Sequence, residues 1–265
     1  MDFSIVTISY NQLKYLERTI LSVIEQQGVE IEYILVDPGS TDGSRLLIED
    51  YKNKISKVIL KPDSGPAEGL NNGFNEAKGE IFGYLNSDDL YLEGSLVKIR
   101  DYFKSNPNVD VVIGNGFQID QNDKVIRKIF SDKFSLIKYK LGVCNFIQPS
   151  MFIRNSAFKK VGGFNVDNKT CWDAELLVNL AHNGLNIQNL NYYISKFRIH
   201  TDSISGSGRL YTEYVEDRKR ICAGIEVPRI IENNFLFVLL FRFNNFLQNP
   251  IKLFSKFNLG CYEKS

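Results

Sequence analysis

Two adjacent carboxylates, Asp88 and Asp89, stand at the end of the apolar run Gly83-Tyr84-Leu85-Asn86-Ser87. Carboxylates at a strand end suit a hard divalent cation, which prefers oxygen ligands and leaves sites open for phosphate oxygens. An acidic turn or a helix N-cap is the competing reading, because Asp caps helices routinely and a helical pattern begins just past Gly94. The positions of other polar clusters weigh between the two. The apolar run 3–9 ends on Tyr10-Asn11, and the run 31–36 ends on Asp37-Pro38-Gly39-Ser40.

The elements between these clusters follow a simple alternation. Leu13, Leu16, Ile20, Val23 and Ile24 recur at helical spacing, so residues 13–26 read as an amphipathic helix between two strands. Ser, Thr and Asp residues after position 40 cap a second helix over 45–52, and a short strand over 57–61 leads to Pro62-Asp63-Ser64-Gly65. A helix over 67–77 then precedes the strand 81–85 and the acidic stretch. Strands alternating with helices predict an α/β chain with a mostly parallel central sheet. Ligands of such sheets bind beyond the carboxyl ends of the strands, where all three clusters fall. Acidic turns of no function would not keep falling on one sheet edge. Glycine-rich loops and helix N-termini there can receive phosphate, with a metal neutralising the remaining charge. No Gly-x-x-x-x-Gly-Lys-Ser/Thr loop and no Gly-x-Gly-x-x-Gly follows the first strand, which disfavours P-loop nucleotidases and standard dinucleotide dehydrogenases.

Composition narrows the class without naming an activity. The 265 residues are 43% hydrophobic and 24% charged, ordinary for a globular protein with a sizeable core. A formal net charge of +1 gives no overall field for nucleic acid. Cys144, Cys171, Cys222 and Cys261 are scattered, which reads as reduced thiols in a cytoplasmic protein. The chain starts directly on a strand-like run, so no secretory leader is expected. No apolar stretch reaches the roughly 18 residues of a spanning helix.

Taken in order, the clusters resemble a known family. Val6-Thr7-Ile8-Ser9-Tyr10-Asn11, Val36-Asp37-Pro38-Gly39-Ser40-Thr41-Asp42-Gly43, Pro62-Asp63-Ser64-Gly65, Leu70-Asn71-Asn72-Gly73-Phe74 and Leu85-Asn86-Ser87-Asp88-Asp89 are similar to the motifs of family 2 glycosyltransferases. The resemblance covers about residues 3–205 and implies a GT-A fold, with a Rossmann-like nucleotide half and an acceptor half. It implies an inverting enzyme that uses a nucleotide-sugar donor. It further implies that Thr7, Tyr10, Asn11, Asp37, Gly39, Ser40, Asp63 and Asn71 belong to the nucleotide site. Asn86 occupies the first acidic position of the family's commonest Asp-x-Asp form. Asp88 and Asp89 would serve ribose, diphosphate and a Mn2+ or Mg2+ ion, with Asp89 the expected direct ligand and Asp88 nearer the ribose.

Residues downstream extend the resemblance. Residues 95–106 read as a helix, 109–114 as a strand, 116–119 with 125–129 as a hairpin, and 130–140 as an acceptor-side loop or short helix. Gln148 resembles a donor-pocket residue whose amide can both donate and accept; a strand-edge Gln is the alternative. Val161-Gly162-Gly163-Phe164 resembles a structural turn of the family. Trp172 beside Asp173 pairs a flat aromatic face with a carboxylate, which suits a sugar. Inversion needs a base for the acceptor hydroxyl proton, and the resemblance puts that base at Asp173, with Glu175 second. A first-turn acid favoured by the helix dipole is the alternative for Asp173. His182 reads as a surface helix-end residue. His200 resembles a residue that closes on the diphosphate, sometimes as a metal ligand, ahead of a lid over 203–208 with Arg209.

Past residue 210 the resemblance fades. Residues 1–210 are expected to form the catalytic domain and 211–265 a helical C-terminal extension. Residues 228–257 are rich in Phe and Leu with flanking Arg229, Lys252 and Lys256, which suits either a membrane surface or packing against this chain or a second copy. The expected acceptor is a glycan or a lipid-linked sugar, in lipopolysaccharide, capsule or other surface-polysaccharide assembly. A nucleotidyltransferase and a non-catalytic sugar-nucleotide-binding or membrane scaffold are the alternatives. Against the first stands the missing Arg/Lys-bearing glycine loop after strand one.

Overall fold

The computed structural model describes residues 1–201, 203, 207–232 and 234–248. Its first half runs β1 (Phe3–Ile8), α1 (Leu13–Ile24), β2 (Ile31–Val36), α2 (Ser44–Asp50), β3 (Lys57–Ile59), α3 (Pro66–Asn75) and β4 (Ile81–Asn86). β5 (Leu90–Tyr91), α4 (Ser95–Ser105), β6 (Val111–Ile119), β7 (Val125–Ile129), α5 (Leu136–Lys140), β8 (Met151–Arg154) and α6 (Asn155–Lys160) follow. Last come α7 (Trp172–His182), β9 (Ile187–Arg198), α8 (Tyr211–Ala223), α9 (Arg229–Glu232) and α10 (Phe235–Gln248).

The periodicities explain the layers. β1 and β2 are almost wholly buried because helices cover both sheet faces, so their sequences are continuous apolar runs rather than alternating ones. On α1, Leu16, Ile20 and Val23 are fully buried against one face, where they join Phe3, Ile5 and Leu35. α3 lies on the other face with Val6, Ile34 and Val36, and a Cβ at its Gly73 would stand 2.5 Å from Val6 Cγ1. Glycine is what allows α3 to seat that close. Asp42 caps differently from expectation: its Oδ1 accepts from Ser44 N and Oγ, while its Oδ2 accepts from Leu13 N at the start of α1.

The sheet order is β3-β2-β1-β4-β8-β6-β9-β5, with β7 added on β6. β3, β2, β1 and β4 are parallel, as the alternation predicts. β8 then enters antiparallel between β4 and β6, and β9 returns parallel to β6, so the second half of the sheet is mixed. Residues 109–114 and 116–119 are not two elements: β6 is one strand whose register against β9 shifts around Asn115. Ile221 and Ile225, at and just past the end of α8, join the core that holds Trp172 and Leu177.

Two pairings set the site. Ile8 pairs with Val36 and with Asn86, so β1, β2 and β4 end level and release their polar loops at one edge. β5 pairs antiparallel with β9, Leu90 opposite Lys196, which carries the residues after Arg198 back to the acidic loop.

Candidate active site

A cleft of about 2360 Å³ opens along that edge. Tyr10, Gly39, Asp63, Asn86, Asp88, Gln148, Trp172 and Asp173 all line it. Residues separated by more than 160 positions therefore meet in one cleft.

The acidic loop is held from three sides. The Thr19 hydroxyl of α1 lies 2.8 Å from the carbonyl oxygens of both Ser87 and Asp89. Arg198 is fully buried; its Nε donates to Asp88 O at 2.8 Å and its Nη1 to Asp120 O at 2.8 Å. Its Nη2 pairs with Asp123 Oδ1 at 2.5 Å, and Asp123 also pairs with Arg18. These two arginines outweigh burial and hold the Asp123 carboxyl below its usual range. The Arg198 guanidinium lies 4.7 Å from the Tyr15 ring centroid, and that ring packs against His200 at 4.8 Å.

Within this frame the two carboxylates take different roles. Asp89 is fully buried: Oδ1 accepts from Arg198 N at 2.9 Å and Oδ2 from Asn86 Nδ2 at 3.3 Å. Burial, and next the charge of Asp88, push its carboxyl well above the ordinary range. Asp88 is the one that lines the cleft, and its Oδ2 lies 3.0 Å from His200 Nε2. Asp89, the expected direct metal ligand, turns its side chain inward and ties β9 to the loop. Asp88 and His200 offer one oxygen and one nitrogen to a cation. Among the described residues no group of three His, Cys, Asp or Glu side chains converges on such a site.

The nucleotide set divides in the same way. Tyr10, 61% exposed, and Gly39 line the cleft, as does Asp63, whose carboxyl burial raises. Gly69 on α3 makes room for Asp63, because a Cβ there would sit 2.8 Å from Asp63 Oδ2. Asp37 is fully buried: Oδ1 accepts from Gly39 N, Ser40 N and Arg45 Nε, while Oδ2 has no partner. Asn11 and Ser40 lock the two loops together, Asn11 N donating to Ser40 Oγ and Asn11 Oδ1 accepting from Thr41 N. Two residues expected at the nucleotide have their side chains engaged elsewhere. Thr7 is buried with its hydroxyl 3.0 Å from Tyr33 Oη, on the core side of β1. Asn71 spends its amide on the Gly-Gly-Phe turn, donating to Phe164 O at 2.8 Å and accepting from Phe164 N at 2.9 Å.

Gln148 opens a short 3-10 turn before β8 and reaches across β4, accepting from Asn86 Nδ2 at 3.1 Å and donating to Tyr84 O at 3.3 Å. Trp172 packs chiefly in the core, 5.4 Å from Phe164 and 5.8 Å from Tyr84 between ring centroids, with one edge on the cleft. Asp173 is the second residue of α7, accepts from Ala174 N at 2.8 Å and is half-buried in the cleft wall. Burial raises its carboxyl to about 6. Such a value suits a base working near neutrality. Glu175 is placed otherwise: Arg220 of α8 grips it at 2.6 and 2.8 Å, and Asn165 and Asn168 donate to it. Against burial, these bonds hold its carboxyl below the usual range, so Glu175 fastens α8 to α7 and does not line the cleft. His182 is exposed in the last turn of α7. Ser203 and Arg209 line the cleft, whereas residues 204–206 of the expected lid lie outside the described residues.

Sequence reasoning missed Arg198, Thr19 and Tyr15. An Arg two residues before His200 at a strand end was the available signal for the first; the other two look like ordinary helix residues until α1 is docked.

Comparison with known proteins assigns this cleft to a family. The profile described as glycosyl transferase family 2 matches residues 4–162. An uncharacterized glycosyltransferase of Nostoc sp. is 30% identical over 248 residues, 89% of this chain and 76% of the relative. The poly(ribitol-phosphate) beta-N-acetylglucosaminyltransferase TarP of Staphylococcus aureus is 28% identical over 208 residues, 72% of this chain and 62% of TarP. Among solved structures, S. aureus TarS 1-349 in complex with UDP-GlcNAc superposes with a TM-score of 0.69 at 19% identity, over 94% of this chain and 73% of that one. The mannosyltransferase PcManGT of Pyrobaculum calidifontis, in complex with GDP-Man and Mn2+, gives 0.66 at 14% identity, over 98% and 75%. The chain spans 43% of the longer TarS chain. Profile, relative and fold agree: the chain belongs to the family 2 glycosyltransferases and has the GT-A fold.

Proposed function

We propose that this chain is a metal-dependent, inverting hexosyl- or N-acetylhexosaminyltransferase that takes its sugar from a UDP-sugar and acts in surface-polysaccharide synthesis. Its acceptor is a glycan or a lipid-linked sugar. One observation carries the reading: Asp88 beside His200, and Asp173 with a carboxyl near 6, line the same cleft. Residues 1–210 form the catalytic unit and 211–265 the extension, which α8 fastens through Arg220 and Glu175.

The donor is received on the level strand ends. Tyr10 offers an exposed ring for base stacking, Asp37 Oδ2 is an acceptor still lacking a donor N–H, and Asp63 faces the ribose end. Asp88 and His200 would hold the divalent cation beside the diphosphate. When bound, that cation supplies charge neutralisation to the departing diphosphate. Asn86 and Gln148 fix one another at the sugar end. Asp173 takes the acceptor hydroxyl proton as that oxygen forms a bond to the anomeric carbon. The bond from that carbon to the diphosphate oxygen breaks with its electron pair, in one in-line step with inversion.

A nucleotide-sugar panel read by transfer or hydrolysis tests this, run beside thermal shift with UDP and GDP with and without Mn2+. Stabilisation that needs UDP and Mn2+ together, and turnover of a UDP-sugar, is the expected result. Indifference to every nucleotide, or equal turnover without metal, overturns the reading.

A further inference from the structure

α10 carries the opposite of a normal solvent face. Phe235, Leu236, Leu239, Leu240, Phe243 and Leu247 are all exposed, between 46% and 69%. At 3.6 residues per turn they share one arc of about 140°. The helix is seated by its other side: Asn245 is buried, accepting from Lys138 Nζ at 2.6 Å and donating to Val143 O at 2.7 Å. A soluble helix seated this way turns charged residues outward, and contiguous exposed apolar stripes mark interaction sites.

Charge identifies the occupant. The sequence holds no Asp or Glu from 233 to 262, while Arg242, Lys252 and Lys256 fall within it. Two copies paired through this stripe would bring like charges together, with no acid on either side to offset them. Lys124, Lys128, Arg209 and Arg242 also line the cleft with no ion pair among the described residues, and Arg242 and Phe246 put α10 itself in the cleft wall. An apolar stripe on a helix that carries Arg242 and no acid, forming the wall of a cleft also lined by Lys124, Lys128 and Arg209, is complementary to an anionic lipid surface. Over its 14 described residues α10 is too short to cross a bilayer and suits lying along it.

We infer that α10 is a membrane-docking helix that seats the cleft against an anionic bilayer, Phe235 to Leu247 entering the interface and Arg242 standing among the headgroups. On the transferase reading above, this makes the acceptor a lipid-linked one, delivered from the bilayer beside the helix that forms the cleft wall.

Co-sedimentation of the full chain with vesicles of phosphatidylcholine, alone or mixed with phosphatidylglycerol, tests it. The mixed vesicles are expected to bind the protein at least tenfold more strongly than phosphatidylcholine alone. The double variant Leu239→Glu/Phe243→Glu should lose that binding at least tenfold while keeping the wild-type melting temperature and UDP thermal shift. No binding by the full chain, equal binding to both vesicles, or undiminished binding by the variant overturns the inference. A lipid-free dimer that the same variant converts to monomer also overturns it, in favour of a second copy. Failure of the UDP shift alone would sink the transferase reading and leave the vesicle result standing.

Discussion

The two walls of the cleft are built on opposite plans. At the strand-end wall the acidic loop is tied down: Asp89 bonds Arg198 and Asn86, Asn86 bonds Gln148, and Asp123 pairs with both Arg198 and Arg18. At the wall formed by β7 and α10, Lys124, Lys128 and Arg242 have no ionic partner among the described residues, and the apolar stripe is exposed. Preorganised dipoles and charges need no rearrangement when charge develops, which suits a wall that handles a leaving diphosphate. Unpartnered groups instead wait for a partner, which suits a wall that meets acceptors and surfaces. Rigidity and unfilled valence thus sort by task.

Substitutions in the first wall should separate chemistry from support. Asp173→Asn is expected to cut transfer about 10³-fold, the usual scale for a general base, with the UDP thermal shift kept. Its carboxyl lies at about 6, above the ordinary value, so the folded state disfavours the ionised form and stability from this group falls as pH rises toward 6. At pH 7.5 the Asn variant should therefore melt no lower than wild type. In the native enzyme kcat/KM should drop about tenfold per pH unit below 6, because the base must be ionised; a flat acid limb would remove Asp173 from the role.

Asp88→Asn should lower turnover about 10²-fold and abolish the Mn2+-dependent part of the UDP shift. Asp89→Ala breaks the wall itself, leaving the buried Arg198 N–H unpaired at a cost of about 2 kcal/mol, or roughly 4–8 °C in melting temperature. If Asp89→Ala removed metal binding with no loss of stability, the two roles would be reversed. The smallest effect belongs to Asn71→Ala: about 1 kcal/mol from two lost bonds to Phe164, with donor binding unchanged in a UDP titration.

Much of this could be read from the chain. Apolar runs ending on polar clusters predicted β1, β2 and β4, because a strand buried on both faces must be continuously apolar and its end must be polar to meet water. The motif order named the family, and Asp88 and Asp173 do line one cleft, with His200 against Asp88. Facing was not readable in the same way. Adjacent Asp88 and Asp89 are equivalent in type, and only the docking of β9 against β5, with Arg198 N aimed at one carboxylate, turned Asp89 inward. Thr7 and Asn71 sit inside motifs yet point to Tyr33 and Phe164, because packing across long sequence separations sets side-chain direction. Glu175 looked like a spare base until α8 brought Arg220 to it. Local periodicity determined which residues form strands and helices and that their ends are polar. Long-range pairing decided which of those polar residues face the ligand, since a contact between distant residues exists only once the sheet has set their register.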